Sequence, residues 1–522
     1  MKTSEPASLR TLSTNLEGAS IHGEGATLIR GLSDDSRAVE PGDIFCCVTG
    51  AKSNGVEHIP QALARGATAL LIDSANFRQV PDRNFSVPVI LVQDSREGLS
   101  YLAGQLFKHL IDQMIFVGVT GTNGKTTTTQ MMAAILETDG RSTTRVGTLG
   151  IQFGNGTTRP SPNTTPGAIH LLDVIRRAVE LGDKHIVMEV SSQAVAQHRC
   201  SFLPFRVAAF TNLTPEHFEL HGNFDNYRTV KQDFFRTAGH EHRRRENHHL
   251  TNLINVDDPE AQNFVDVCEG DVIGYGLESD GRQLRGMHSI LRGSPTRTSL
   301  DASSMEVSTG QESCKIELKI GGRFNLLNAL AAIGMGLELG IDLETCRRGL
   351  ASVLQVRGRF QCVKGGPRRV VVDYAHSSDG LESLLRSCRE IIGSAGQLIV
   401  VFGCGGDKDS SKRPRMGSIA ARYANRGIIT DDNPRSEDPE KIVGMILDGI
   451  ATKDKSRFTV EHDRREAIRQ ALELSEPEDL VVIAGKGHET YQIRGSVTTE
   501  FDDVQVVKEL MGGMEITSTR DS

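Results

Sequence analysis

Residues Gly118 to Thr126 read GVTGTNGKT, a spacing suited to holding phosphate. Glycines let the backbone turn its N–H groups toward phosphate oxygens at the start of a helix, where the peptide dipoles also favour negative charge. On this reading Gly121, Thr122, Asn123, Gly124, Lys125, Thr126 and Thr127 cradle a nucleoside triphosphate. Lys125 neutralises the β- and γ-phosphates, and the Thr126 hydroxyl reaches a magnesium ion. Val119 stands where the strict GxxxxGK[ST] pattern has its first glycine, so a chance glycine-rich turn is the competing reading. The apolar run before the loop, GKT inside it and a helical run after it favour the nucleotide site. Glu189 stands at the end of the strand-like run HIVMEV, just before Val190. There a carboxylate can approach the metal or simply sit at a helix N-terminus, and position alone leaves both open. His217 and Lys231 follow in TNLTPEHFELHGNFDNYRTVKQDFF. Taken singly, the first reads as a surface histidine and the second as a lysine that snorkels.

These residues need elements to hold them. The chain has 522 residues, too many for one ordinary core, which suggests about three domains at typical domain sizes. Between Gly31 and Asp94 the runs IFCCV, ATALLID and VPVILVQD alternate with helical or turn-rich stretches, as in a small α/β domain. Met114 to Val119 is then a buried strand that enters the glycine loop, and the helix continues through MMAAIL. In a second βα unit Pro166 is expected in the first helical turn. Ile169, Leu172, Ile175 and Val179 form its apolar face, Gly182 stops it, and His185 to Met188 is the next strand. The polar stretch GHEHRRRENHHL, Gly239 to Leu250, has no regular ligand spacing and is expected to be a solvated loop. After Gln355 a third α/β pattern begins, with strands expected at Arg369 to Val372, Leu398 to Phe402, Gly427 to Thr430 and Leu480 to Ala484. These strands end in DYAH, GCGGDKD, DDNPR and GKGHE. Ligands of open parallel sheets bind outside the carboxyl ends of the strands, so four such endings suggest a site on one rim.

Composition narrows the partners. A formal net charge of -8 with 24% charged residues gives no broad basic face for nucleic acid or an anionic membrane. The N-terminus lacks the apolar core of a signal peptide, and no run approaches the roughly 18 apolar residues of a membrane span, so a cytoplasmic protein is expected. Nine cysteines without a CxxC pair read as reduced core residues.

The motifs TGTNGKT, NTTP (Asn163 to Pro166), MEVSSQAVAQHR (Met188 to Arg199), TNLTPEH, GRFNLLN (Gly322 to Asn328), VRGRF, DYAH, FGCGGDKD, DDNPRSEDP and AGKGHETYQ occur in order. They extend from Asp35-Ser36-Arg37 to about Asp503, nearly the whole chain. Together they resemble the Mur ligases, and among them the branch that adds the third peptide residue to UDP-N-acetylmuramoyl-L-alanyl-D-glutamate. The resemblance implies an α/β fold of three domains. A central doubly wound P-loop domain (113–354) that binds ATP is flanked by an N-terminal α/β domain for the UDP-sugar (1–112). A C-terminal Rossmann-like α/β domain for the amino acid (355–522) completes it. It further implies that Ser36, Thr164, Thr165, Ser191, Gln197 and Arg199 hold the muramoyl dipeptide, and that Asn325, Asn328, Arg359 and Asp373 lie near the adenine, phosphates and ribose of ATP. Glu189 and His217 match magnesium ligands, and Lys231 matches a lysine carbamylated in this family, which turns a cation into an oxygen ligand. Lys125, Lys231 and His217 are the expected catalytic set.

Four positions depart from the family pattern: Gln193 in place of histidine, Pro215 in place of a polar residue, Gln361 in place of a frequent glutamate, and Lys408 in place of the arginine usual in diaminopimelate-adding members. The implied reaction activates the D-glutamate side-chain carboxylate as an acyl phosphate, which an incoming amine then displaces. The loop Asp432-Asn433-Pro434-Arg435, with Lys408, Gly485 and Glu489, is expected to choose meso-diaminopimelate. Arg435 offers a planar fork to a carboxylate, and Glu489 accepts from the distal ammonium. The bland alternative is a turn with a surface arginine. Rival readings are the same ligation with L-lysine or another diamino acid, a folylpolyglutamate-synthase-like ligase, and a catalytically silent nucleotide-binding homologue. A monomer is expected.

Overall fold

The computed structural model describes residues 2–518 apart from 51–52, 81–82, 217, 246–247, 278–283, 311 and 367. Three sheets organise the chain in sequence order. The first pairs the strands Leu28–Ser33, Asp43–Cys46, Ala69–Asp73 and Val89–Val92 in parallel, with Lys2–Ser8 and Ser20–His22 antiparallel at its edges. Every residue of Ala69–Asp73 is buried, as a central parallel strand covered on both faces must be.

The second sheet has eleven strands. Its parallel middle runs through Thr143–Gly147, His185–Glu189, Ile115–Thr120, Phe205–Phe210, Thr251–Asn255, Asp271–Gly276 and Ser289–Thr298. Antiparallel strands extend both edges, among them Ser303–Ser308 and Ser313–Leu318, which the sequence reading did not foresee. The strand Ile115–Thr120 lies inside this sheet, with Glu189 paired to Val119. That register sets the Glu189 carboxylate level with the mouth of the glycine loop.

Two local expectations need correcting. The helix Ala168–Glu180 starts after Gly167, so Pro166 stands outside its first turn. The Thr165 hydroxyl donates to the Glu189 carbonyl at 2.8 Å and ties this bent segment to the strand end. Leu171, Leu172, Ile175 and Ala178 form the buried face of the helix, while Ile169 and Val179 are only half-buried. The first half of the stretch expected as a solvated loop is helical, because Phe224–Arg244 runs through Gly239 to Arg244. Its charges are satisfied on the helix surface: Arg243 pairs with Glu269, Arg244 with Glu241, and Arg245 with Asp112 and Glu241. A charged stretch thus served as the solvated end of a helix whose other face, with Phe234 and Phe235, is core.

In the third sheet Arg369–Asp373, Leu480–Ala484, Leu398–Phe402, Arg426–Ile429 and Phe458–Val460 are parallel, and Gln361–Val363 joins antiparallel to Arg369–Asp373. The four anticipated strands therefore send their carboxyl ends to one rim. A hairpin, Tyr491–Arg494 with Val497–Glu500, closes over that rim. All nine cysteines are free thiols. No helix among the described residues is long and apolar enough to cross a membrane.

Candidate active site

The glycine loop has the backbone geometry that a phosphate cradle needs. Gly121 has φ +145°, and a Cβ there would stand 1.9 Å from Thr211 Oγ1; Gly124 has φ +89°, and a Cβ would meet Asn328 Oδ1 at 2.4 Å. Side chains are thus excluded where the loop must turn and where Asn328 closes on it. The loop is pinned from outside by Asn212, whose side-chain and backbone oxygens accept from Asn123 N and Thr122 N, each at 2.8 Å. Asn328 donates to Asn325 Oδ1 at 3.0 Å and accepts from Thr128 Oγ1 at 3.3 Å, so both asparagines lie against the first turn of Lys125–Thr138. Thr127, buried in that same turn, belongs to this cluster.

Lys125 Nζ donates to the carbonyls of Gly121 and Thr122 at 2.8 Å each. Lys231 Nζ reaches the same Gly121 carbonyl at 2.9 Å and lies over the Tyr227 ring. Two amines therefore converge on one oxygen in a buried place. Burial lowers the proton affinity of both, and Lys125 pushes that of Lys231 down further, while Glu216 opposes the shift. Facing them, Glu189 accepts from Thr126 Oγ1 at 3.0 Å, from Thr148 N at 2.8 Å and from Thr148 Oγ1 at 3.1 Å. The Glu189 carboxylate thus lies against the first turn of Lys125–Thr138, beside the glycine loop. His217 lies outside the described residues.

The C-terminal lobe reaches into this cradle. Arg359 Nη2 donates to Thr126 Oγ1 at 3.3 Å, and its guanidinium lies 4.5 Å from the centre of the Tyr374 ring. Asp373 accepts from Phe360 N at 2.6 Å and Ala375 N at 2.8 Å, which fixes the loop that carries Arg359. Burial raises the Asp373 carboxyl above its usual range, and Arg359 and these bonds oppose the rise.

A second cluster sits between the N-terminal and central lobes. Arg199 donates to the Thr165 carbonyl at 2.9 Å and, through Nε and Nη2, to Gln197 Oε1 at 3.1 and 2.8 Å. Ser191 N donates to Thr165 Oγ1 at 3.0 Å, and Thr164 Oγ1 lies 3.1 Å from Thr148 Oγ1. Arg96, which the sequence reading missed, also reaches Gln197 Oε1 at 3.4 Å. Two guanidiniums around one amide oxygen make a cationic junction suited to a diphosphate or carboxylate. Ser36 stands apart from this group and donates to Gln61 Oε1 at 2.6 Å within its own lobe.

The four strand endings of the third sheet, together with Pro215 and Glu216 of the central lobe, enclose a cleft of about 220 Å³. Charge is divided across it. A Cβ on Gly405 would lie 2.9 Å from Arg435 Nη1 and 3.9 Å from Lys408 Cγ, whereas one on Gly485 would lie 2.8 Å from Asp432 Oδ2. Arg435 and Lys408 thus lie by Gly405 and Asp432 by Gly485, while Glu216, Asp409 and Lys412 line the rest of the cleft. Arg435 has φ +51° and is clamped by backbone bonds to Ile493 and Gly495, while Nη1 donates to the Gly406 carbonyl at 2.7 Å. It is half-buried at the cleft wall, not a free surface charge. Pro434 is buried within the same turn. Asn433 Nδ2 donates to Glu489 Oε2 at 2.9 Å. Lys412, another residue missed in the sequence, bonds the His376 carbonyl at 2.7 Å, and the His376 ring stands 3.4 Å from Glu216, joining the cleft to the lobe of the glycine loop. Gln361, one of the departures, accepts from Gly358 N at 2.8 Å and so steadies the turn before Arg359.

Family models match three stretches of the chain: the Mur ligase family, catalytic domain over residues 28–106, the Mur ligase middle domain over 119–336, and the Mur ligase, glutamate ligase domain over 358–487. A UDP-N-acetylmuramoyl-L-alanyl-D-glutamate--2,6-diaminopimelate ligase of Syntrophomonas wolfei is 42% identical over 93% of this chain and 95% of its own length. The protein of that name from Geobacillus kaustophilus is 37% identical over 96% of this chain and 98% of its own. A solved structure of a ligase with this name superposes with a TM-score of 0.67 at 28% identity, covering 98% of this chain and all of that one.

Proposed function

The chain belongs to the Mur ligase family, and from that premise we propose that it joins meso-diaminopimelate to the D-glutamate of UDP-N-acetylmuramoyl-L-alanyl-D-glutamate, with ATP converted to ADP and phosphate. The observation that carries this reading is the divided charge of the cleft. A diamino dicarboxylic acid brings to its far end both an ammonium, for Asp432 and Glu489, and a carboxylate, for Arg435 and Lys408. L-lysine brings only the ammonium and would leave the cationic end unpaired.

A carboxylate is a poor acyl donor until it carries a leaving group. In the proposed sequence the D-glutamate side-chain carboxylate attacks the γ-phosphorus, ADP departs, and the amine of the incoming amino acid displaces phosphate from the acyl phosphate. Lys125 and the N–H groups of its loop stabilise charge on the transferring group, so rate comes from positioning and electrostatics. Arg359 adds a cation from the C-terminal lobe; its Nε is buried and has no hydrogen-bond partner among the described residues, as expected of a group awaiting an anion. Thr126 and Glu189 offer hydroxyl and carboxylate oxygens 3.0 Å apart, a donor set that suits a hard divalent cation. With His217 and a carbamylated Lys231 they would hold magnesium, which when bound offsets phosphate charge. Arg96 joins Thr164, Thr165, Ser191, Gln197 and Arg199 in holding the muramoyl dipeptide, with Ser36 contacting it from the N-terminal lobe. All of these groups come from one chain, which we take to act as a cytoplasmic monomer.

The test is a panel of amino acids offered with ATP and the muramoyl dipeptide, read by the mass of the product. Diaminopimelate should be ligated in clear preference to L-lysine and L-ornithine; equal use of the three would remove Arg435 as selector. Arg435→Ala should raise the KM for diaminopimelate about 30-fold, since a partly buried charge loses its partner. Lys408→Arg should lower that KM a few-fold by restoring a two-pronged contact. Neither should change the KM for ATP.

A further inference from the structure

Lys486 is wholly buried and does not line the cleft, yet it is bonded to what does. Its Nζ donates to Asn433 Oδ1 at 3.0 Å and to the Tyr491 carbonyl at 2.7 Å, and it stands 3.5 Å from both Asp432 Oδ1 and Glu489 Oε2. Four oxygens around one amine suit an ammonium. The Asn433 amide oxygen also accepts from Ile493 N at 2.9 Å, which uses both of its lone pairs. The amide nitrogen must then face Glu489, as it does at 2.9 Å. Within this cluster, two carboxylates with one buried ammonium leave a single negative charge.

Resting on the proposed function, we propose that Lys486 is the positioning residue of amino-acid selection. It holds the Asn433 amide in one orientation and sets a cation between the Asp432 and Glu489 carboxylates, so that the cleft takes up the distal ammonium of a diamino acid. Removing it leaves the two carboxylates with no cation between them, and Glu489 then binds a proton that competes with the substrate ammonium. The other charged or titratable groups around Glu489 are Tyr374, Tyr491 and Arg464, and the same cleft is lined by Arg435, Lys408, Lys412, Asp409, Glu216 and His376. Burial and Asp432 already push the Glu489 carboxyl upward, while Lys486 and Asn433 restrain it. The direction of change follows. Binding needs ionised Glu489, so kcat/KM for the diamino acid falls as pH drops through its pKa, and losing Lys486 moves that fall to higher pH.

The experiment compares wild type, Lys486→Gln and Lys486→Met by the pH profile of kcat/KM for diaminopimelate, with ATP and muramoyl dipeptide saturating. In both variants the acid limb should move up by about one pH unit or more, with KM rising more than kcat falls and the KM for ATP unchanged. Lys486→Gln keeps a donor for Asn433 and separates charge from hydrogen bonding; adding Glu489→Gln to it should abolish the displaced limb. Activity lowered equally at every pH, an unmoved limb, or loss of soluble protein in both variants would make Lys486 a structural strut and overturn the proposal. Wild-type enzyme without diaminopimelate-dependent turnover would instead defeat the functional reading on which it rests.

Discussion

Lys125→Ala is expected to lower kcat roughly a thousand-fold, the scale seen when a group that stabilises transition-state charge is removed. The Lys125 amine sits on the carbonyls of Gly121 and Thr122, at the start of the helix Lys125–Thr138, where the proposed reaction has it meet the outer phosphates. Alanine is a strong helix former, and the change removes a half-buried charge, so the fold should persist. Dipeptide affinity should also persist, because Thr165, Gln197 and Arg199 form a separate cluster. Steady-state ADP release and calorimetric titration of the muramoyl dipeptide measure the two effects separately. Turnover near that of wild type would remove the nucleotide-site assignment.

Lys231→Arg should be nearly as damaging, by roughly a hundred-fold or more, although it keeps a positive charge. An unmodified Lys231 places a second amine on the Gly121 carbonyl beside Lys125, where burial and its neighbour disfavour protonation. A neutral amine is the form that attacks carbon dioxide. The nitrogen lone pair forms a bond to carbon, and loss of a proton leaves a carbamate, an anion that relieves the repulsion and supplies oxygens to a metal. Guanidinium cannot follow that course. Depleting carbon dioxide and bicarbonate should therefore inactivate wild type reversibly, and labelled carbon dioxide should give a carbamate carbon resonance that Lys231→Arg lacks. Full activity of the arginine variant, or a free amine in active enzyme, would contradict the assignment.

The sequence was most legible where local rules act alone. GVTGTNGKT implied a strand, a glycine turn and a helix, and Ile115–Thr120 and Lys125–Thr138 follow that order. The apolar runs of the third lobe, such as LIVVF and LVVIA, implied buried parallel strands and hence a rim. Features made by distant segments were hidden. Arg96 follows the helix cap Asp94 and reads as an ordinary first-turn residue until the central lobe brings Gln197 to it. Lys486 looks like any lysine between glycines, and only the meeting of Asp432, Asn433 and Tyr491 around it creates its burial. The contact of His376 with Glu216 needs two lobes to close. Gly239 to Arg244 misled through composition, since charge marks exposure and not the absence of a helix.

The central claim is that one site couples ATP cleavage to joining two specific substrates, and ADP release under omission of each component tests it most directly. ADP should accumulate only with ATP, the muramoyl dipeptide and meso-diaminopimelate all present, in equal amount to the tripeptide product. ADP formed at the full rate without either acceptor or amino acid, or none formed with all three, would contradict the account.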